Sequence, residues 1–197
     1  DNIKDRMERV YLSIGQRFDE NIEKHINIKH KKDGKPLLTI SFEEKDNKAE
    51  VYNIIFVIIA HIAKLKDHLK YLYVLKEGDP QVIENEVDSS DYLKLVIDLD
   101  NKEKHHNLKR SRSGKFPYLD EIGRALTVKQ GNEKGSFTIN VNLSTGEYVA
   151  ESDGTVITIT AEVKDDKGMK ICSLDDLINK SIEKWEEVIK KYNLIQN

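Results

Sequence analysis

A single cysteine, Cys172, stands in the 197-residue chain, which excludes an internal disulfide framework and a cysteine-built zinc site. One lone thiol fits a reducing compartment, so the expected localisation is cytoplasmic. Only three prolines occur, and no repeat or low-complexity tract is visible, which leaves room for long uninterrupted elements. Charge of one sign is also missing: 32 basic residues face 35 acidic ones, for a net charge of −3. General attraction to nucleic acid or anionic lipid is therefore not expected, and any such contact must use a local patch. The longest apolar run, "IIFVIIA" at Ile54–Ala60, is far short of the roughly twenty residues of a membrane span. It predicts a core helix and no membrane partner. The opening "DNIKDRMERV" has no apolar signal region and no initiator Met, as in a processed or trimmed chain. Walker, dinucleotide, nucleophile-elbow and EF-hand patterns are all missing.

What is present is 38% hydrophobic and 34% charged, the composition of a soluble globular chain that forms a single domain over residues 1–197. Ile3, Met7, Val10, Tyr11, Ile14 and Phe18 recur at three- and four-residue steps and predict a helix over 2–20. Ile26 and Ile28, then Leu38, Ile40 and Phe42, alternate around Asp33-Gly34, which predicts a β-hairpin over 24–43. A long helix follows from Asn47 to about Leu75 and ends at Gly78-Asp79-Pro80. A second runs over 89–106, with Ser89 or Ser90 as N-cap. The short link between them predicts antiparallel packing, with Ile55, Ile58, Ile59, Ile62, Leu95 and Leu99 buried.

From about Arg124 the period becomes two. "GRALTVKQ", "SFTINVNL" and "TVITITAEV" read as strands, "NLSTGEY" and "ESDGTV" as turns, and "GMKIC" as a short edge strand. Residues 173–192 form an amphipathic helix capped by Ser173 and anchored by Trp185 and Ile189. The expected fold class is α+β. A helical core with its hairpin fills 1–120, a small antiparallel meander 121–172, and the terminal helix packs back.

The stretch "DLDNKEKHHNLKRSRSGK" from Asp98 to Lys115 carries the chemistry-bearing residues. On the first long helix, His61, Lys64 and His68 lie along one face, with Asp67 close by. On the second, Asn101, Lys104 and His105 share one turn. Antiparallel packing would bring the two clusters together, placing an imidazole beside a carboxylate and lysines. The plainer interpretation is a solvated helix end or a network that sets helix register. A metal site built from His105, His106, Asp98 and Asp100 is disfavoured, because adjacent helical side chains diverge by about 100°. No metal or cofactor is expected. Beyond the helix, Lys109, Arg110, Arg112 and Lys115, with Ser111, Ser113, Gly114, Phe116 and Tyr118, form a loop suited to phosphate contact and base stacking.

"KLKDHLK" followed by "DLDNKEKH" resembles a family of uncharacterised bacterial and phage HEPN-like helical proteins, with H-L-K-D-W and D-L-x-N-x-x-K-H elements. The resemblance covers about 53–108, with a weaker echo around Trp185. Asp67, Asn101, Lys104 and His105 match by position, whereas Lys64 stands where the family has histidine and His68 where it has tryptophan. The HEPN ribonuclease signature, an arginine four to six residues before a histidine, is absent. The resemblance implies a helical architecture and a candidate site, but no established activity.

The leading expectation is contact with a phosphate-bearing ligand, a nucleotide or RNA, through Lys64, His68, Lys109, Arg110 and Arg112. One alternative is a divergent metal-independent ribonuclease using His105 with Lys104, Asp67 and Asn101. The other is a structural or interaction protein, a homo-oligomer without a catalytic site. Whether the chain is an enzyme is left open.

Overall fold

The computed structural model of the chain describes residues 2–19, 26–30, 36–40, 48–106, 108–128, 136–141, 148–153 and 155–195, with side chains described for 2–18, 49–106, 108–125 and 157–195. The fold is mixed α+β. Helix α1 is Ile3–Gly15, α2 Lys48–Leu75, α3 Gln81–Asp88, α4 Asp91–His105 and α5 Leu174–Lys191. The strands are β1 (Phe18–Asp19), β2 (Ile26–His30), β3 (Pro36–Ile40), β4 (Tyr118–Val128), β5 (Ser136–Val141), β6 (Tyr148–Asp153), β7 (Thr155–Lys164) and β8 (Lys170–Ser173). Two compact units are distinguishable. The first comprises Asp1–Gly15, Tyr52–Ile122 and Thr160–Asn197, and the second Gln16–Val51 and Gly123–Ile159.

The first unit is built around α2. Its residues Ile55, Ile58, Ile59, Ile62, Leu65 and Leu69 are buried, as are Leu93, Leu95, Val96 and Leu99 of α4. Trp185 of α5 is fully buried and donates its indole N–H to the carbonyl of Ile62 at 3.0 Å, tying α5 to the middle of α2. Helix α4 packs against both α3 and α5. Two helix starts carry a side-chain cap. Ser90 caps α4 by accepting from the Leu93 N–H, and Ser173 caps α5 in a reciprocal box with Asp176. The chain leaves α2 through Glu77 at φ 60°, and the Gly78 N–H returns to the Tyr73 carbonyl. A Cβ on Gly78 would lie 2.5 Å from the Tyr73 ring, so only glycine fits there.

Four expectations are corrected. The first helix stops at Gly15, and Phe18 belongs to the two-residue strand β1. Glycine is a poor helix former, and beyond it the backbone bonds to β7, Ile159 N–H donating to the Arg17 carbonyl. The α2–α4 link is no bare connector but holds α3, whose Ile83 and Val87 are buried. The stretch assigned to turns contains β6, which pairs antiparallel with β5 from Ser136↔Asp153 to Val141↔Tyr148. The switch to a strand period comes earlier than Arg124, at Tyr118.

In the second unit β2 pairs antiparallel with β3, Ile26 opposite Ile40. The Asp33-Gly34 turn lies outside the described residues. The larger sheet has the order β1–β7–β4, with β8 joined to β7 further along. Ile157, Ile159, Ala161 and Val163 of β7 are all buried along one sheet face, and Thr158 on the opposite face is buried as well.

Candidate functional site

The loop after α4 folds around one carboxylate. Asp98, 1% exposed, accepts the Ser111 and Ser113 hydroxyls at 2.7 Å each, the Ser113 N–H at 2.9 Å and the Arg112 N–H at 2.7 Å. The two hydroxyls are in turn acceptors, Ser111 Oγ for the Phe116 N–H and Ser113 Oγ for the Lys115 N–H. "SRSGK" is therefore an anion cradle of the kind that holds phosphate, but its anion is internal. Gly114, at φ 73°, supplies the backbone conformation the loop needs.

Arg112 is equally committed. Its guanidinium meets Glu84 Oε2 at 2.8 Å and Asp88 Oδ1 at 2.7 Å, and donates to the Glu84 carbonyl at 3.2 Å. Glu84 also receives Lys70 at 2.6 Å and Lys66 at 3.6 Å. Burial alone would raise the Glu84 pKa. Hydrogen bonds from Lys70 and Arg112 and the charge of Lys66 outweigh it and hold the carboxyl at about 2. Arg112 is thus removed from the phosphate-binding set; it clamps the loop to α3.

The expected meeting of Asp67 with His105 does not occur. Tyr52 and Phe56 of α2 share a cleft with Leu99, Lys102, Glu103 and His106, so the start of α2 lies beside the end of α4. Asp67 is eleven residues further along α2, an axial displacement of about 16 Å from Phe56. Its side chain is largely exposed and meets Lys66 at 3.5 Å. The end of α4 lies at the level of Tyr52 and Phe56, and that register carries Asp67 away from His105. Asn101 is half-buried, and Lys104 pairs with Asp100 of its own helix. Both histidines are exposed. His105 ends the helix exposed, while His106, in the left-handed region at φ 58°, turns its side chain onto the cleft wall.

Lys64 and His68 do not line that cleft. Lys64 is exposed, and His68 is half-buried, its pKa lowered by burial and then by the charge of Arg6 on α1. Lys109 and Arg110 project from the loop, exposed.

What the structure assembles instead is the cleft of about 230 Å³ lined by Tyr52, Phe56, Lys102, Glu103, His106 and Tyr118, with Leu99 and Leu119. The Tyr52 and Phe56 rings are stacked, their centroids 6.1 Å apart. Lys102 places its ammonium 5.2 Å from the Tyr118 ring centroid and donates to the Pro117 carbonyl at 3.3 Å. Lys109 and Arg110 follow His106 by at most four residues, so chain length keeps them within about 14 Å of it. Tyr118 was legible as a stacking residue beside the basic loop. Tyr52 and Phe56 were legible only as an i, i+4 aromatic pair, with nothing in the sequence to say which helix end they would meet. The chain matches no protein-family model, no curated protein and no solved structure.

Proposed function

We propose that the protein binds a phosphate-bearing ligand, a nucleotide or a nucleotide of single-stranded RNA, with the base in the aromatic cleft and the phosphate toward Lys109 and Arg110. The observation that carries this reading is the gathering of Tyr52, Phe56, Tyr118 and Lys102 around one cleft, the combination of ring faces and cation that single-strand binders use. Glu103 and His106 on the wall add two further polar groups. A HEPN-like helical core belongs to the same reading, supported by the positional match of Asp67, Asn101, Lys104 and His105 in the sequence. The ribonuclease alternative gains nothing from the geometry, since His105 has neither Asp67 nor a cradle of donors beside it.

The test is fluorescence anisotropy with labelled single-stranded RNA and with a labelled nucleotide across a salt series. Tyr118→Ala and Phe56→Ala each weaken binding by about 1–3 kcal/mol, the worth of one base–aromatic stack. Lys109→Ala with Arg110→Ala flattens the salt dependence by about 0.7 in log–log slope for each phosphate that the two cations no longer neutralise. Absence of binding by the parent protein, or binding indifferent to the aromatic variants, sinks the proposal.

A further inference from the structure

The outward face of α2 has a pattern that neither the core nor the cleft uses. Asn53, Val57, Ala60, Lys64, Asp67, Tyr71 and Val74 follow one another at alternating steps of four and three, the spacing of a coiled-coil seam. All but Ala60 are exposed in the structure, and Ala60 is half-exposed. A helix face left to solvent is normally charged and polar. Here Val57 is 41% exposed, Tyr71 60% and Val74 50%, and adjoining Leu75 is 59% exposed.

The seam is complementary to itself, but in one direction only. Laid antiparallel on a second α2, Val57 meets Val74 of the second copy, Ala60 meets Tyr71, and Lys64 meets Asp67. Every pairing is repeated on the other side of the axis, as a two-fold interface requires. Laid parallel, Lys64 would face Lys64 and Asp67 would face Asp67, which like-charge repulsion opposes. The two central charges are also at liberty to pair. Lys64 has no ion pair among the described residues. Asp67, its side chain 75% exposed, meets Lys66 at 3.5 Å, and Lys66 also leans 3.6 Å from Glu84.

We propose that this face is a homodimer interface, two copies of the chain crossing their α2 helices antiparallel about an axis between Lys64 and Asp67. The apolar residues on either side supply the attraction, and the two reciprocal Lys64–Asp67 pairs set direction and register. The seam from Val57 to Val74 is about 26 Å long and one helix, about 10 Å, wide. A footprint of about 260 Å² is well below the roughly 800 Å² per partner of a standard interface, so the dimer is weak and forms reversibly.

Sedimentation velocity of the full chain from micromolar to millimolar concentration tests this. The parent's mass rises toward that of a dimer. Lys64→Asp and Asp67→Lys, each alone, stay monomeric at the same concentrations with unchanged helical circular dichroism. An equimolar mixture of these two variants regains the dimer, because each copy then offers the charges the other needs. Tyr71→Glu, which leaves the charge pair intact and removes apolar contact, is monomeric too. A parent that stays monomeric at millimolar concentration, a dimer untouched by the single charge reversals, or a mixture that fails to associate each overturns the proposal.

Discussion

His61 and His68 each bury a ring nitrogen, Nδ1 and Nε2 respectively, that has no hydrogen-bond partner. Burial lowers the pKa of both. For His61 a bond to the Arg9 backbone opposes this, while the charges of Lys64, Arg9 and Arg6 add to it; for His68 Arg6 adds to it. The unfolded chain then binds more protons than the folded one below about pH 6.5, so stability declines as pH falls through that value and toward the lowered folded pKa. Urea unfolding at a series of pH values should show this loss, and His61→Gln with His68→Gln should flatten it. Asp98 is the second decisive residue. Asp98→Ala strands two hydroxyls and two backbone N–H groups in a part-buried loop, and should cost on the order of 3 kcal/mol. A loss below about 0.5 kcal/mol, the range of a surface change, would show that the cradle holds nothing in place.

Between elements, Glu84 and Arg112 act together. Lys66 and Lys70 from α2, Glu84 and Asp88 from α3, and Arg112 from the loop form one ion-pair cluster. Because the folded Glu84 pKa is about 2 against an ordinary 4.5, its contribution is complete above about pH 4.5 and is lost as pH falls toward 2. This acid limb is separate from the histidine one and should shrink in Glu84→Gln without vanishing, because Glu86, held at about 2 by hydrogen bonds from Lys191, Tyr192 and Lys184 that outweigh its burial, is lost over the same range. Arg112→Ala should cost about 2 kcal/mol by leaving Glu84 and Asp88 less well paired. For a chain of this size that lowers Tm by about 4–8 °C. Lys109→Ala and Arg110→Ala, whose side chains are exposed, should leave Tm within a degree or so. The basic loop thus divides into a structural arginine and three exposed cations, Lys109, Arg110 and Lys115. Residue type alone did not separate them, since the difference lies in α3, the element the sequence pattern did not reveal.

For the molecule as a whole, stability in the first unit rests on the buried apolar faces of α2, α4 and α5, with Trp185 the largest of the fully buried side chains. Trp185→Ala should cost about 3–5 kcal/mol, through the forfeited transfer energy and the cavity left behind, and leaves the Ile62 carbonyl without its partner. Amide hydrogen exchange offers an independent check. The N–H groups of 58–65, 96–99 and 182–188 should exchange only through global unfolding, and those of 109–110 through local opening. Faster exchange along the middle of α2 than along α5 would show that α2 is not the centre of the core. No helix among the described residues is long and apolar enough to cross a membrane, as the length of the Ile54–Ala60 run implied.

Residue pattern alone determined the α+β class, the extents of α2, α4 and α5 to within about two residues, the Ser173 cap, and the buried faces of α2 and β7, while for α4 it left Ser89 and Ser90 as equal candidates. These follow from local geometry: which side chains share a face depends on a repeat of 3.6 or 2 and on little else. The α2 seam is legible by the same rule once burial shows which side of the helix faces solvent. Tertiary structure alone decided the site. Whether Asp67 meets His105 depends on the axial register of two helices, seen where Phe56 meets Leu99, and a repeat fixes a face without fixing a level along it. Whether "SRSGK" offers its N–H groups to a ligand depends on where Asp98 points, and the buried carboxylate has taken them. His106 reached the cleft through one left-handed residue at the helix end, a backbone reversal that no helical periodicity encodes.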